Sequence, residues 1–372
     1  MILKPYALEL PQYTSFLNLL YSQVLAFVNF LFYIRIMKKI IIDVLGGDNA
    51  PIAILDGVGM AAKADTNLRF VLVGDEAIIK AKLQEHAISS RAEIIHTTEV
   101  LTNDDAPTAV RTRPNTSIAL CLEALKTRED ITALVSAGST GAVLAGSVLK
   151  LGRIPGVSRP ALCPIFPTLN PKVKTMVADI GANMDCRPEH LLHFALMANE
   201  YMKSVGVANP RVALLNVGTE DKKGNELTHA AFELLKKSDL NFVGNMEARE
   251  AFSGDYDVLV CDGFVGNILL KTAEGAFRML MTKVKSAMTS SRAAKMGAIL
   301  CKKQLMQIKA ELSEEATGGS LFLGTTKPVI KAHGNSNATA FCNAILLARG
   351  TGNSNLPQAI ADAIARNTFT HN

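Results

Sequence analysis

Glycines set beside hydroxyls, amides and acids recur along this chain, each time just after a short apolar run. The first such loop is Gly46-Gly47-Asp48-Asn49-Ala50-Pro51. Paired glycines let backbone N–H groups approach a ligand closely, and a tight turn capped by the acid explains the same residues about as well. The second, Ser136-Ala137-Gly138-Ser139-Thr140-Gly141, runs into a helical pattern. A helix start offers free N–H groups and partial positive charge to an anion, although Ser139 and Thr140 would also serve as plain caps. The third loop leads from Asp179 through Gly181, Asn183 and Asp185 to Pro188, which opens a helix; His190, in its first turn, reads as a partly buried structural histidine. The fourth carries Gly218, Lys222, Lys223 and Gly224. A lysine there can meet a phosphate as a point charge, while charge runs are usually solvated turns. The fifth is Asp262-Gly263-Phe264-Val265-Gly266-Asn267 and the sixth His333-Gly334-Asn335-Ser336-Asn337.

One such loop is an accident. Their repetition describes a site built to hold an anion-bearing ligand among backbone amides. Other chemistries lack their signatures. There is no G-x-x-x-x-G-K-S/T for ATP and no G-x-S-x-G for a hydrolase nucleophile. Gly57-Val58-Gly59-Met60-Ala61-Ala62 matches a dinucleotide fingerprint in letters only, because it falls inside a helical pattern beyond Pro51. The 6 cysteines form no C-x-x-C, so neither a metal framework nor a disulfide pattern is expected, nor any cofactor. A net charge of +5 is too small to argue for nucleic acid.

The elements that must position these loops follow an α/β rhythm. Apolar runs at 40–44, 70–73, 133–135, 175–180, 212–216 and 257–261 alternate with helical patterns. Continuous apolar strands between helices imply a parallel sheet covered on both faces, a Rossmann-like α/β/α sandwich. Ligands of such sheets sit beyond the carboxyl ends of the strands, where these loops lie. With 48% apolar and 20% charged residues, the chain from 37 to 372 reads as one domain. Residues 10–34 carry no charge and are long enough to span a bilayer, yet make a poor signal peptide. The expectation is that 1–36 is an upstream extension and that translation starts at Met37, the alternative being a true anchor.

The ordered loops resemble a known family, the bacterial acyl-ACP:phosphate acyltransferases. The resemblance is carried by Gly46-Gly47-Asp48…Pro51, Ser136-Ala137-Gly138…Thr140-Gly141-Ala142, Gly152-Arg153-Ile154…Arg159-Pro160-Ala161 and Gly181-Ala182-Asn183…Asp185…Pro188-Glu189-His190. It continues through Asn216-Val217-Gly218…Lys223-Gly224-Asn225-Glu226, Asp262-Gly263-Phe264…Gly266-Asn267 and Ile330-Lys331-Ala332-His333-Gly334. Asn49, Ser139 and Asn337 depart from the usual His, Asn and Asp, each remaining able to hydrogen-bond. The resemblance implies a fold related to phosphotransacetylases and isopropylmalate-type dehydrogenases, a homodimer, and a cytoplasmic enzyme in peripheral contact with the membrane. It implies acyl carrier protein and inorganic phosphate as partners, with the product passing to a membrane-bound glycerol-3-phosphate acyltransferase.

The implied reaction needs no covalent intermediate: phosphate attacks the thioester carbonyl and the thiol departs. Lys223 and Asn267 are then the expected catalytic groups, one neutralising phosphate or polarising the carbonyl, the other donating to the oxyanion. Gly46, Gly47, Asp48, Gly138, Ser139, Thr140, Gly141, Asn183, Asp185, Gly218, Asp262, Gly266 and His333 are the expected substrate and phosphate contacts. Asp179 and Asp262 are expected to orient rather than act as bases. A coenzyme A-dependent phosphotransacetylase and an idle membrane or carrier scaffold are the rival readings. Residues 278–310 bear on all of these, with 8 basic residues and no acid interleaved with methionines. They are expected to project, at about 278–312, as amphipathic helices suited to an acidic carrier or an anionic bilayer. An ordinary amphipathic helix at a dimer interface is the plainer account.

Overall fold

The computed structural model of the protein describes residues 38–312, 318–352 and 354–368; the N-terminal extension and the start at Met37 lie outside them. From Lys39 on, the chain forms one compact unit. Its strands are β1 (Lys39–Asp43), β2 (Phe70–Gly74), β3 (Ala92–His96), β4 (Ile131–Ser136), β5 (Ala161–Pro167), β6 (Lys174–Ala178), β7 (Val212–Asn216), β8 (Phe242–Glu247), β9 (Val258–Val260), β10 (Ser320–Leu323) and β11 (Val329–Lys331). They form one sheet in the order β3-β2-β1-β4-β11-β10-β5-β6-β9-β7-β8. The longer helices are α1 (Ile52–Ala64), α2 (Glu76–Glu85), α3 (Ser117–Thr127), α4 (Thr140–Gly146), α5 (Pro188–Ser204), α6 (Glu226–Lys237), α7 (Gly263–Thr289), α8 (Arg292–Leu300), α9 (Lys302–Glu311), α10 (Ala338–Gly352) and α11 (Leu356–Arg366).

The sheet is an α/β sheet buried on both faces, as its apolar runs require. Alternate residues of each strand feed separate cores. Ile40, Ile42, Phe70 and Leu72 meet α1, α2, α5, α6, α10 and α11 on one face. Ile41, Val71 and Val73 meet α3, α4 and the root of α7 on the other. Gly57 and Gly59 lie buried within α1. Gly57 faces Phe341 of α10 and Gly59 faces His86, so the apparent dinucleotide fingerprint is helix packing.

The expected single parallel sheet is in fact mixed. β1, β2, β3, β4 and β11 are mutually parallel, and so are β6, β7, β8 and β9. The antiparallel strands β10 and β5 join the two blocks, so the blocks run in opposite directions. β5 pairs with β10 through 161–164 and with β6 through 165–167. Pro164, which has no N–H to give, falls where one ladder hands over to the other. The register then places Ser136, Lys331, Ser320 and Pro164 in one row. Asp179 lies level with Leu162, two residues along β5, a step of about 7 Å. The carboxyl ends of the two blocks therefore meet head to head across β5, and loops from both open into one cleft.

The second block is held to this meeting point by a close crossing. α7 passes so near the end of β6 that a Cβ on Gly266 would lie 1.9 Å from the carbonyl oxygen of Asp179. Because that neighbour is backbone, Gly266→Ala should destabilise the protein by about 2 kcal/mol despite the better helix propensity of alanine. Denaturant unfolding checks this, and an unchanged midpoint would show that the crossing can relax.

Candidate functional site

A cavity of about 360 Å³ lies in the cleft. The first block contributes Thr140, Lys331, His333 and Gly334, and the second contributes Gly181, Asn267 and Lys271. Ser320 of the linking strand β10 and the apolar Leu162, Ile180, Leu270 and Ala332 complete the wall. Among the described residues two lysines and no carboxylate line it, so their field favours an anion.

The loop after β1 stands behind this cavity and braces it. A Cβ on Gly46 would lie 2.7 Å from the Gly138 nitrogen, so the first two glycine loops pack backbone to backbone. The backbone N–H of Asp48 donates to the Gly334 carbonyl at 2.7 Å. Asn49 Nδ2 donates to the carbonyls of Asn335 and Ser336 at 3.0 and 3.3 Å. Gly47 is wedged against Ala137 and the Gly334 carbonyl. Beneath them the buried Asp43 carboxylate accepts from Ser136 Oγ at 2.7 Å, and burial pushes its pKa up from the usual carboxylate range. Ser139 precedes α4 without making a side-chain cap, Thr140 reaches the cavity, and Gly141 packs on Pro107.

The loop after β6 is organised by Asp179. Its Oδ1 accepts from the N–H groups of Leu162 and Ala182, and its Oδ2 from the N–H and Nδ2 of Asn183. Asn183 also donates to the Pro160 carbonyl at 2.8 Å, so its amide is spent inside the protein. Asp185 is exposed, and its carbonyl accepts from Arg159. His190 is buried, its Nδ1 accepting from the Arg187 N–H at 3.0 Å, and burial lowers its pKa. That is the structural histidine its position suggested. Asp262 caps α7 by accepting from the Val265 N–H at 2.9 Å, which leaves Asn267, one turn on, in the cavity wall.

The structure thus brings Thr140, Asn267 and His333 to the cavity. Gly46, Gly47, Asp48, Gly138, Asn183, Asp262 and Gly266 shape or brace it without lining it, and Ser139, Gly141 and Asp185 do not line it either. Lys223 and Gly218 lie elsewhere. Their loop follows β7, two strands from β6, and is closed by Asn216 Nδ2 donating to the Lys223 carbonyl at 2.9 Å. The Lys223 side chain is 50% exposed and 3.8 Å from Glu220, outside the cavity lining. The residues that sequence reasoning passed over are Lys331, Lys271 and Ser320. For Lys331 the signal was visible, a lysine closing the apolar run Val329-Ile330 of a buried strand.

Lys331 is the exceptional charge of the site. It is 7% exposed, and its Nζ donates to the Ala332 carbonyl. Burial pulls its pKa down to about 8, with Asp43 and Asp48 partly offsetting this through space. Lys271 is exposed and pairs with Glu274 at 2.8 Å.

A second cavity of about 410 Å³ adjoins the first and shares Leu270, Ser320 and His333 with it. Its wall is largely apolar, with Ile165, Phe166, Phe252, Ala273, Phe277 and Met281. Phe166 and Phe252 stack with ring centroids 5.3 Å apart. Arg278 and Lys309, from α7 and α9, are its cations.

The family described as "Fatty acid synthesis protein" matches residues 38–359. A phosphate acyltransferase from Clostridium acetobutylicum is 46% identical over 309 residues, covering 82% of this chain and 92% of that one. One from Geobacillus thermodenitrificans is 46% identical over 314 residues, covering 84% and 94%. Among solved structures, a phosphotransacetylase from Streptococcus pyogenes superposes with TM-score 0.57 at 18% identity, covering 87% of this chain and 94% of that one. The EutD phosphotransacetylase from Staphylococcus aureus gives TM-score 0.53 at 15% identity over the same shares. These likenesses show the fold.

The buried lysine makes stability depend on pH in a definite sense. Its folded pKa of about 8 lies below the ordinary lysine value of 10.5. Below pH 8 the buried charge opposes folding in full. Between those values the folded state releases its proton before the unfolded chain does, so stability rises with pH. Lys331→Met removes this titration. The variant's stability relative to wild type should be greatest near pH 7 and should fall as pH rises from 8 to 10.5, measured by denaturant unfolding. A difference that does not change with pH would contradict the assignment.

Proposed function

Since this chain belongs to the fatty acid synthesis protein family, among the phosphate acyltransferases, we propose that it transfers a fatty acyl group from acyl carrier protein to inorganic phosphate. One observation carries the reading beyond the family's name. A polar, lysine-bearing cavity opens past Ser320 and His333 into an apolar one. A phosphate and an acyl chain need those two environments, and the acyl carbon must sit at their boundary. Attack by a phosphate oxygen forms the C–O bond of the acyl phosphate and breaks the thioester C–S bond. The proton of the hydrogen phosphate ends on the departing thiol. Juxtaposition supplies much of the rate. Asn267, on the wall of the polar cavity, donates to the carbonyl oxygen as it gains charge. Cys163 and Cys261 are buried and their thiols are held well above the usual range by burial, which suits a mechanism without a thiol nucleophile.

A phosphotransacetylase acting on acetyl-coenzyme A would share the fold. The apolar cavity is far larger than a two-carbon acyl group requires, which favours a long chain. Purified protein given phosphate and acyl carrier protein bearing a fatty acyl thioester should form hydroxylamine-trappable acyl phosphate. Acyl-coenzyme A and acetyl-coenzyme A run in parallel separate the readings, and no product from any donor would support a scaffold.

The residues at 278–312 form the outer part of α7 together with α8 and α9. They expose Met279, Leu280, Met296, Ile299, Leu300, Met306 and Ile308 beside the cations noted above. Among the described residues no helix is long and apolar enough to cross a membrane. We assign these helices to reversible contact with an anionic membrane, where each cation near the surface contributes about 1 kcal/mol and the apolar side chains add the rest. Such contact would place the cytoplasmic enzyme, as a homodimer, near the membrane-bound acyltransferase that consumes its product.

Two outcomes follow from this reading. Asn267→Ala should lower turnover about a hundredfold while keeping its thermal midpoint; a destabilised but active variant would reduce Asn267 to a packing residue. In a chain beginning at Met37, changing Lys295, Lys302 and Lys303 to Glu should abolish low-salt sedimentation with anionic liposomes. Equal sedimentation of both proteins would rule out the electrostatic contact, and a raised KM for the acylated carrier instead would move the basic surface to that partner.

A further inference from the structure

The cation expected to meet phosphate, Lys223, stands half exposed on a loop outside the cavity. The cavity has its own buried cation. Lys331 ends β11 in the row that also holds Ser136 and Ser320, where the first block's carboxyl ends reach the cleft. Its ammonium hydrogen-bonds to the Ala332 carbonyl, and among the described residues no carboxylate pairs with it. Removing a charge from water without a counter-ion is costly, so such a group needs an anion to justify its place. The hydroxyl-bearing Thr140 and Ser320 line the same cavity, and among the described residues no acid does. Asp43 and Asp48 act on Lys331 only through space, and the Asp43 Oδ2 accepts from Ser136.

We propose that Lys331 is the cation against which inorganic phosphate is bound, with the hydroxyls of Thr140 and Ser320 as its neutral partners. The assignment rests on the acyl transfer proposed above for the reaction but not for the binding. A phosphate held there lies beside Ser320 and His333, the residues shared with the apolar cavity, and so within reach of an acyl carbon entering from it. Lys223 then serves its own loop, folded over Gly218 and near Glu220.

The test uses the full chain and inorganic phosphate itself, with Lys331→Met and Lys331→Arg. Lys331→Met keeps the length of the stem and should fold, because it relieves a buried charge. Calorimetric titration should show phosphate binding to wild type, weakened on the order of tenfold to a hundredfold in Lys331→Met, the scale of one charge-assisted hydrogen bond. Lys331→Arg should recover part of it. In steady state the KM for phosphate should rise by a similar factor in Lys331→Met, with the KM for the acyl donor within about twofold. Lys223→Ala should leave phosphate binding unchanged. Phosphate binding equal in wild type and Lys331→Met, or absent from wild type, would overturn the proposal. So would equal changes in both KM values. If wild type binds phosphate through Lys331 but forms no acyl phosphate, the binding assignment stands and the reaction assigned to the cavity falls.

Discussion

The Asp179 carboxylate, buried at the end of β6, accepts four N–H donors from three residues. One comes from Leu162 of β5, and the others fold the next loop back on itself. Burial raises the cost of its charge and the donors lower it again, with burial the larger effect. A group in that position tolerates no missing partner, because an unpaired buried carboxylate costs several kcal/mol. It therefore fixes where the second block of the sheet stops against the strand that links the blocks. Gly266 lets α7 cross the Asp179 carbonyl at contact distance, and Asn267 owes its place in the cavity wall to that crossing. The site depends on this junction more than on any single loop.

The junction also explains how a sheet with its two halves running in opposite directions makes one site. In a single parallel sheet all carboxyl ends lie on one edge. Here β5 and β10 reverse the second block, and the two sets of ends face each other across β5. A polar and an apolar cavity can then each draw residues from both halves and share a boundary. The polar cavity draws Thr140, Lys331 and His333 from one half and Gly181 and Asn267 from the other, and the apolar one sets Phe252 and α7 opposite His333 and Asn335.

Much of this was legible in the amino-acid order, and what was not has physical causes. The runs at 40–44, 70–73 and 212–216 declare themselves because both faces of those strands are buried. β5 hides behind Pro164 and Pro167, and β10 and β11 are too short to show a period. Those three strands set the direction of the second block, so the mixed sheet could not be read. Loop residues such as Thr140, Asn267 and His333 were found because glycines beside polar groups mark strand ends. Asp48 and Asn183 carry the same mark, yet their bonds turn inward to Gly334, Pro160 and Asp179, a distinction only the pairing reveals. Lys223 drew attention as a lysine beside a glycine. Lys331 drew less because it closes an apolar run, which is why it is buried.

The central claim is that phosphate and acyl chain occupy adjoining cavities with Lys331 at the phosphate. It is tested most directly by a crystal structure of the protein with inorganic phosphate and a thioether analogue of the acyl thioester. The account predicts phosphate beside Lys331 and Thr140, with the alkyl chain in the apolar cavity against Phe166, Phe252 and Phe277. Phosphate seated on the 216–226 loop beside Lys223, with the Lys331 cavity empty, would contradict it.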